Sequence, residues 1–402
     1  MELVELGKLC DFINGDRGKN YPSQKSFISE GIPFISAKDL KNSSINKKNL
    51  RFISETVYNK LSSGKLKDND ILFCLRGSLG KFGINSENIK GAIASSLVII
   101  RPKDNLELNY LKHYLSSLIF KNLVIKSDNG TSQPNLSVTN VKGFKIPLPN
   151  LATQKRIANI LDEADKLRQF NKAIIEKYDA LTQSLFLEMF GDPIENQKNW
   201  KVNRLKEISI KILSGNTPKG GSKVYVKNGI TFFRSQNIWR NRIELDDVVC
   251  ISQDIHNNMQ KSSLKNGDIL ITKTGRINTE NSSLGRAAMF MGKDDSANIN
   301  GHVYLIRLKE DIINEFVLFI LTTHKYKEYI RSVCVGGIDK RQINKTHLEE
   351  FPIISPPIKL QNEFAKRIQI IEKQKQQAQE ALQKSEDLFN SLLQKAFKGE
   401  LA

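Results

Sequence analysis

No apolar run in the 402-residue chain approaches the roughly 18 residues of a membrane-spanning helix, which excludes a helical membrane protein. The N-terminal MELVELGKLCDF has acidic residues and no apolar core, so it does not read as a secretory signal. Cysteine is scarce: Cys10, Cys74, Cys250 and Cys334 lie far apart with no C-x-x-C pair. That excludes a cysteine metal site and a disulfide framework, and leaves reduced thiols of a cytosolic (cytoplasmic) protein. His113, His256, His302, His324 and His347 are too dispersed for a metal centre, so no metal is expected.

Catalytic signatures are missing as well. There is no G-x-x-x-x-G-K-[ST] phosphate loop, and GNTPKGG at 215–221 lacks its spacing. None of the eleven prolines stands in an N-P-P or D-P-P tetrapeptide. Asp39-Leu40-Lys41 has the D-x-K spacing of metal-dependent nucleases, but no Pro-Asp precedes it and its later counterpart reads Gln236-Asn237-Ile238. The expectation is a protein that is not an enzyme by itself and binds no cofactor.

What the chain has in excess is positive charge, +18 in total. Residues 1–150 carry a surplus of +9 and residues 195–355 one of +8, while the intervening and final stretches are near neutral. Two basic blocks favour a polyanion, because neutralised phosphates release counterions. A generally Lys-rich composition is the alternative.

The stretch Leu151 to Met189 holds no Gly or Pro. Ile157, Ile160, Ala164, Leu167, Asn171, Ile174, Tyr178, Leu181 and Leu185 follow at alternating steps of three and four, a heptad seam that predicts one long helix with a partner. About 35 helical residues span about 50 Å. A second long helix is expected from about Lys359 to Phe397, with Phe364, Ile368, Ile371, Leu382 and Phe389 on its seam and Lys375 and Ser385 interrupting it. Asn171 reads two ways, as a register-setting polar residue or as a solvated side chain at a frayed point.

Self-comparison reveals a duplication. GIPFISAKDL at 31–40 recurs as GITFFRSQNI at 229–238, and LKDNDILF at 66–73 as LKNGDILI at 264–271. Leu79-Gly80-Lys81 matches Leu284-Gly285-Arg286 after an insertion near 277–283, and Gln154 and Phe190 match Gln361 and Phe397. Each copy reads as α+β, with short strands followed by a packed helix, 109–125 in the first copy. The predicted organisation is a block over 1–150, a long helix over 151–192, a similar block over 193–355 and a last helix over 356–402. The two helices, each leaving a similar block, are expected to run antiparallel about a pseudo-two-fold axis.

IPLPNLATQKRIANILDEAD at 146–165, its echo FPIISPPIKLQNEFAKRI at 351–368, the paired NDIL and GDIL runs, and GTSQPNLS at 130–137 together resemble the DNA specificity subunit of type I restriction–modification enzymes. The resemblance covers essentially the whole chain. It implies two target-recognition domains, each reading one half of a bipartite asymmetric site in double-stranded DNA. It further implies a helix pair that sets the spacer, up to about 15 base pairs over about 50 Å. Two methylation subunits carrying S-adenosylmethionine would dock on this chain, and restriction subunits using ATP and Mg would join them. A stand-alone two-headed DNA-bridging protein and a nuclease are the rival readings.

On that reading, turns between strands and the loop before each long helix supply the DNA contacts. In the first block these are Lys19, Asn20, Lys38, Arg76, Ser78, Lys81, Thr131, Gln133 and Asn135. In the second they are Lys219, Arg234, Gln236, Asn237, Arg240, Lys273, Arg276, Arg286, Lys340, Arg341 and Gln342. Each has a solvated surface role as its alternative. Arg76 and Arg276 stand out because both follow the matched D-I-L strand in a Gly-containing turn.

Overall fold

The computed structural model describes residues 2–401 apart from positions 42, 131–133 and 280. Thr131 and Gln133 therefore lie outside the described residues. The chain forms two compact units, Met1–Ala173 with Ala378–Ala402, and Ile174–Gln377. Among the described residues no helix is long and apolar enough to cross a membrane, and no group of His, Cys, Asp or Glu could hold a metal ion.

In the first unit Ile71–Cys74 and Leu97–Pro102 are nearly continuous apolar runs because both faces of their sheet are covered. Phe73, Val98 and Ile100 face one core together with Tyr110, Tyr114 and Phe120 from the helices. Leu72, Leu97 and Ile99 face a second core shared with Ile35 and Ile93. The sheet runs Cys10–Asn14, Leu97–Pro102, Ile71–Cys74, Phe82–Ile84, Ser43–Ile45, Leu40–Lys41. A smaller sheet runs Ala92–Ile93, Ile32–Ile35, Arg51–Ile53, Phe27–Ile28.

The second unit repeats this plan. Ser209–Ser214, Val303–Leu308, Ile269–Thr272 and Ala287–Met289 form the main sheet in the equivalent order. Val249–Ile251, Ile230–Phe233 and Ala297–Ile299 form the smaller one. Close backbone approach is repeated too: a Cβ on Gly15 would sit 2.8 Å from the Ile93 carbonyl oxygen, and one on Gly215 2.2 Å from that of Ile299. The second unit adds a three-stranded sheet, Thr274–Arg276, Lys340–Gln342 and Val335–Gly336. At the matching place in the first unit, the described residues include a bridge between Arg76 and Asn135.

The helix expected over 109–125 is two helices, Leu108–Ser116 and Leu118–Lys126. Ser117 breaks it: its hydroxyl donates to the Tyr114 carbonyl at 2.6 Å and accepts the Phe120 N–H at 3.2 Å, capping the second helix. Thr323 does the same between Asn314–Thr322 and His324–Val333, accepting the Tyr326 N–H at 3.2 Å. His324 is exposed at that second helix start, whereas His113 is buried.

The long helices are Leu151–Phe190 and Ile358–Lys398. Gly191, with φ +77°, follows the first in the left-handed conformation that ends helices. Gln154 ties that helix to the first unit, accepting the Glu107 N–H at 2.9 Å and donating to the Pro149 carbonyl at 2.9 Å. Gln361 repeats the second bond with the Pro356 carbonyl at 2.8 Å.

Within each unit the helix segments pair antiparallel. In the first, Ile157, Leu161 and Ala164 share a core with Phe389, Leu393 and Ala396. In the second, the Phe186 and Phe190 rings lie 5.5 and 5.3 Å from Phe364, while Asp179 pairs with Lys375. Of the expected seam, Ile157 is buried and Asn171, Ile174 and Leu185 are partly so, as are Ile368, Ile371 and Leu382; Phe364 and Phe389 are buried. Ile160, Leu167 and Leu181 correct the expectation, because they are exposed. The inward stripe runs through Ile157, Leu161, Ala164, Arg168, Asn171, Ile175, Tyr178, Thr182 and Phe186, at steps averaging about 3.6 residues. The stripe steps four then three where the expected seam steps three then four, so both share Ile157, Ala164, Asn171 and Tyr178 and differ in the residues between.

Candidate nucleic-acid interface

Residues two apart on a strand share a face, and directly paired residues stand side by side on it. In the three-stranded sheet Arg276 is opposite Lys340, Gly275 opposite Arg341 and Thr274 opposite Gln342. One face therefore presents Thr274, Arg276, Lys340 and Gln342. Thr274, Arg276 and Lys340 also line a polar cleft of about 520 Å³ with Ser235, Thr279 and His302. Arg276 and Lys340 are like charges directly across a ladder, an arrangement unfavourable in water unless an anion is near. Asp339 supplies one carboxylate 3.3 Å from Arg276 Nε, and among the described residues Lys340 has no ion pair across the ladder. Arg341, on the other face, is partly buried and its Nε reaches the Gly337 carbonyl at 3.4 Å.

The first unit brings the corresponding pieces together. Gly77 N–H donates to the Pro134 carbonyl at 3.0 Å and Leu136 N–H to that of Leu75 at 2.9 Å, which joins the post-strand turn to the later loop. Asp128 holds that loop by accepting the N–H groups of Asn135 at 2.9 Å and Gly130 at 2.9 Å. The same two bonds, Asn135 first, keep its carboxyl below the usual carboxylate range. Arg76 and Asn135 line a cleft of about 300 Å³ with Asn14, Arg17 and Ser137. Ser78 and Lys81 line a different, more apolar cleft of about 570 Å³ with Phe120 and Val124. Lys81 Nζ donates to the Ala37 carbonyl at 3.0 Å, which places it beside the turn carrying exposed Lys38. Exposed Lys19 and half-buried Asn20 occupy the turn closed by Tyr21 N–H to the Gly18 carbonyl at 3.0 Å.

Other expected contacts are placed differently. Asn237 is a correction: it is buried, 1% exposed, and its amide is consumed by the Arg234 N–H at 2.9 Å and the Glu244 and Asp247 carbonyls. It is the counterpart of Asp39, which accepts the Ser36 N–H at 2.9 Å. Gln236 and Arg234 both bind Asp247 and, in that order, hold its carboxyl low. Arg286 is half-buried, its guanidinium 3.8 Å over the Trp239 ring and its Nε and Nη2 donating to the Ser282 and Asn281 carbonyls. Arg240 lines a cleft of about 360 Å³ with Asp179, Gln183 and Lys375. Lys273 Nζ sits 5.4 Å over the Tyr304 ring, and Lys219 is exposed in the turn before Gly220.

Sequence reading missed Thr274, Arg17 and His302. Two-residue alternation with Arg276 points to Thr274; the other two arrive through folding and have no local signal. It also missed what supports both sites. Asp70, in the first D-I-L run, takes a two-pronged bond from Arg101 at 2.7 and 2.8 Å, and Asp268, in the second, takes one from Arg307 at 2.8 and 2.7 Å.

The profile of the type I restriction modification DNA specificity domain matches this chain twice, at residues 1–178 and 197–384. The chain belongs to that family. The StySPI specificity subunit of Salmonella potsdam is 23% identical, over 96% of this chain and 86% of that protein. A putative MjaX specificity subunit of Methanocaldococcus jannaschii is 25% identical, over 89% and 86%. The S-subunit crystal structure from M. genitalium shares the fold at a TM-score of 0.52, with 17% identity over 98% of this chain and 96% of that one. A chain from a study of complex assembly in a type I R-M system aligns at a TM-score of 0.60, with 18% identity over 99% and 98%. The two matched ranges contain the two copies of the sheets and of the Asp–Arg pairs described above.

Proposed function

We propose that this chain is the non-catalytic sequence-specificity subunit of a type I restriction–modification complex, each recognition domain reading one half of a bipartite asymmetric DNA site. The observation that carries the reading is the face of Thr274, Arg276, Lys340 and Gln342. It joins a like-charge pair suited to phosphate or to guanine edges with uncharged side chains suited to other base edges. The Arg76–Asn135 bridge is its counterpart and carries different side chains, so the two half-sites should differ. Residues 1–150 and 193–355 form the recognition domains and 151–192 and 356–402 the helical parts.

The helix pair sets the spacer, and two methylation subunits dock on it. Supporting docking over a stand-alone bridging role, Ile160, Leu167 and Phe170 are exposed on the flank of the first long helix within the first unit. S-adenosylmethionine belongs to the methylation subunits, ATP and Mg to the restriction subunits, and the whole assembly works in the cytoplasm. The test is methylation by the purified chain with its methylation subunits. A single bipartite motif is expected; methylation of no such motif overturns the reading.

A further inference from the structure

Among the described residues the most exposed large apolar side chain is Ile338, at 90%. Single exposed apolar residues are ordinary on protein surfaces, so exposure alone carries little. Its setting is unusual. Ile338 stands in the tip between Val335–Gly336 and Lys340–Gln342, at the end of the ladder that carries Arg276 and Lys340. The tip is held from both sides: Ile277 N–H donates to the Asp339 carbonyl at 2.9 Å, and Arg341 Nε reaches the Gly337 carbonyl at 3.4 Å. An apolar side chain is thus held out in water on a tied tip, beside the donors of the candidate interface.

A β-ribbon fits the major groove, where the one apolar feature of a base edge is the thymine C5-methyl group. We infer that Ile338 packs on the C5-methyl of one thymine in the half-site read by the second unit. This deepens the specificity reading above and rests on it. The ribbon's Gln342 and Lys340 supply donors for neighbouring base edges or phosphates, and Ile338 discriminates by contact and water exclusion.

Deoxyuridine lacks only that methyl group, which makes the test atomic. The full chain is assembled with its methylation subunits, its motif is determined, and duplexes are made with each thymine of that half-site replaced in turn by deoxyuridine. One replacement should weaken binding about three- to tenfold, the worth of one buried methyl group. Ile338→Ala should weaken binding to the thymine duplex by a similar factor, leave binding to that deoxyuridine duplex unchanged from wild type, and leave the melting temperature unchanged.

The inference is overturned if no thymine position responds, if that half-site contains none, or if the two losses multiply. It is also overturned if 2-aminopurine placed in the half-site brightens through Ile338, because that reports a wedge that unstacks bases. Failure of the assembly to methylate any bipartite motif would instead overturn the specificity reading itself.

Discussion

Asn171 Nδ2 donates to Ser385 Oγ at 3.2 Å, across the two long helices within the first unit. It also reaches the Ala381 carbonyl at 3.3 Å, so the polar interruption of one seam is answered by that of the other. Within the second unit the half-buried Lys375 pairs with Asp179, which is 62% exposed. The Asn171–Ser385 pair tolerates one register of its helix segments and penalises a slip, which would face a polar group with apolar side chains.

A double-mutant cycle on the Asn171–Ser385 pair should show coupling. Asn171→Ala and Ser385→Ala are each expected to lower unfolding free energy by about 1 kcal/mol, with about 0.5–1 kcal/mol of the loss shared. Urea denaturation measures it. Strict additivity would mean that the hydrogen bond contributes nothing to the helix pairing.

Asp70 and Asp268 are 0% and 2% exposed and each is gripped by one arginine. Breaking a buried pair by removing one charge leaves the other uncompensated. Since Arg101 and Arg307 keep some solvent contact, the loss should fall near the lower end, at about 3 kcal/mol for Asp70→Asn or Asp268→Asn. Hydrogen exchange should show the loss at Leu97–Pro102 for the first variant and at Val303–Leu308 for the second.

Lys340 and Arg276 face each other on an exposed ladder, so replacing either with Ala should leave folding stability unchanged or slightly improved. DNA binding should respond in the opposite direction. For each phosphate no longer neutralised, the slope of log affinity against log salt becomes shallower by about 0.9. Titrations of the assembled complex at several salt concentrations would show an unchanged slope if these residues point away from DNA.

His113 is buried and its Nε2 lies 2.8 Å from Asp162 Oδ1, which Lys112 Nζ also approaches to 2.7 Å. Burial, then Lys112, pushes the imidazole pKa below its ordinary 6.5, and Asp162 only partly offsets this. The unfolded chain therefore binds the proton more readily. Stability from this group is full above about pH 6.5 and declines as pH falls toward the lower folded value. His113→Gln keeps a donor toward Asp162 and removes the titration, so its melting temperature should fall less than wild type between pH 7 and pH 5.

Much of the fold was legible because it is written twice. The matched NDIL and GDIL runs mark the central strands, and the Gly- and Pro-free stretch marks the first long helix. Ser117 was hidden because a hydroxyl among apolar residues reads as helix surface, and only its capping bonds reveal a break. Ile160, Leu167 and Leu181 were misplaced because three-four and four-three alternations both pass through Ile157, Ala164, Asn171 and Tyr178. Only packing chooses between Ile160 and its neighbour Leu161. At the interface, Arg276 and Lys340 were each visible as exposed basic residues in loops. Their pairing across 64 positions was not, since register between distant strands leaves no local trace. Asn237 misled because a buried cap and a surface donor have the same composition.

The most direct test of the two-reader account is single-molecule methylome sequencing of cells carrying the methylation subunits with wild-type chain, Arg76→Ala or Arg276→Ala. Wild type should yield one bipartite motif. Arg76→Ala should relax one half, Arg276→Ala the other, and the spacer should stay constant in both. Parallel relaxation of both halves by either variant, or the same half relaxed by both, would contradict the account.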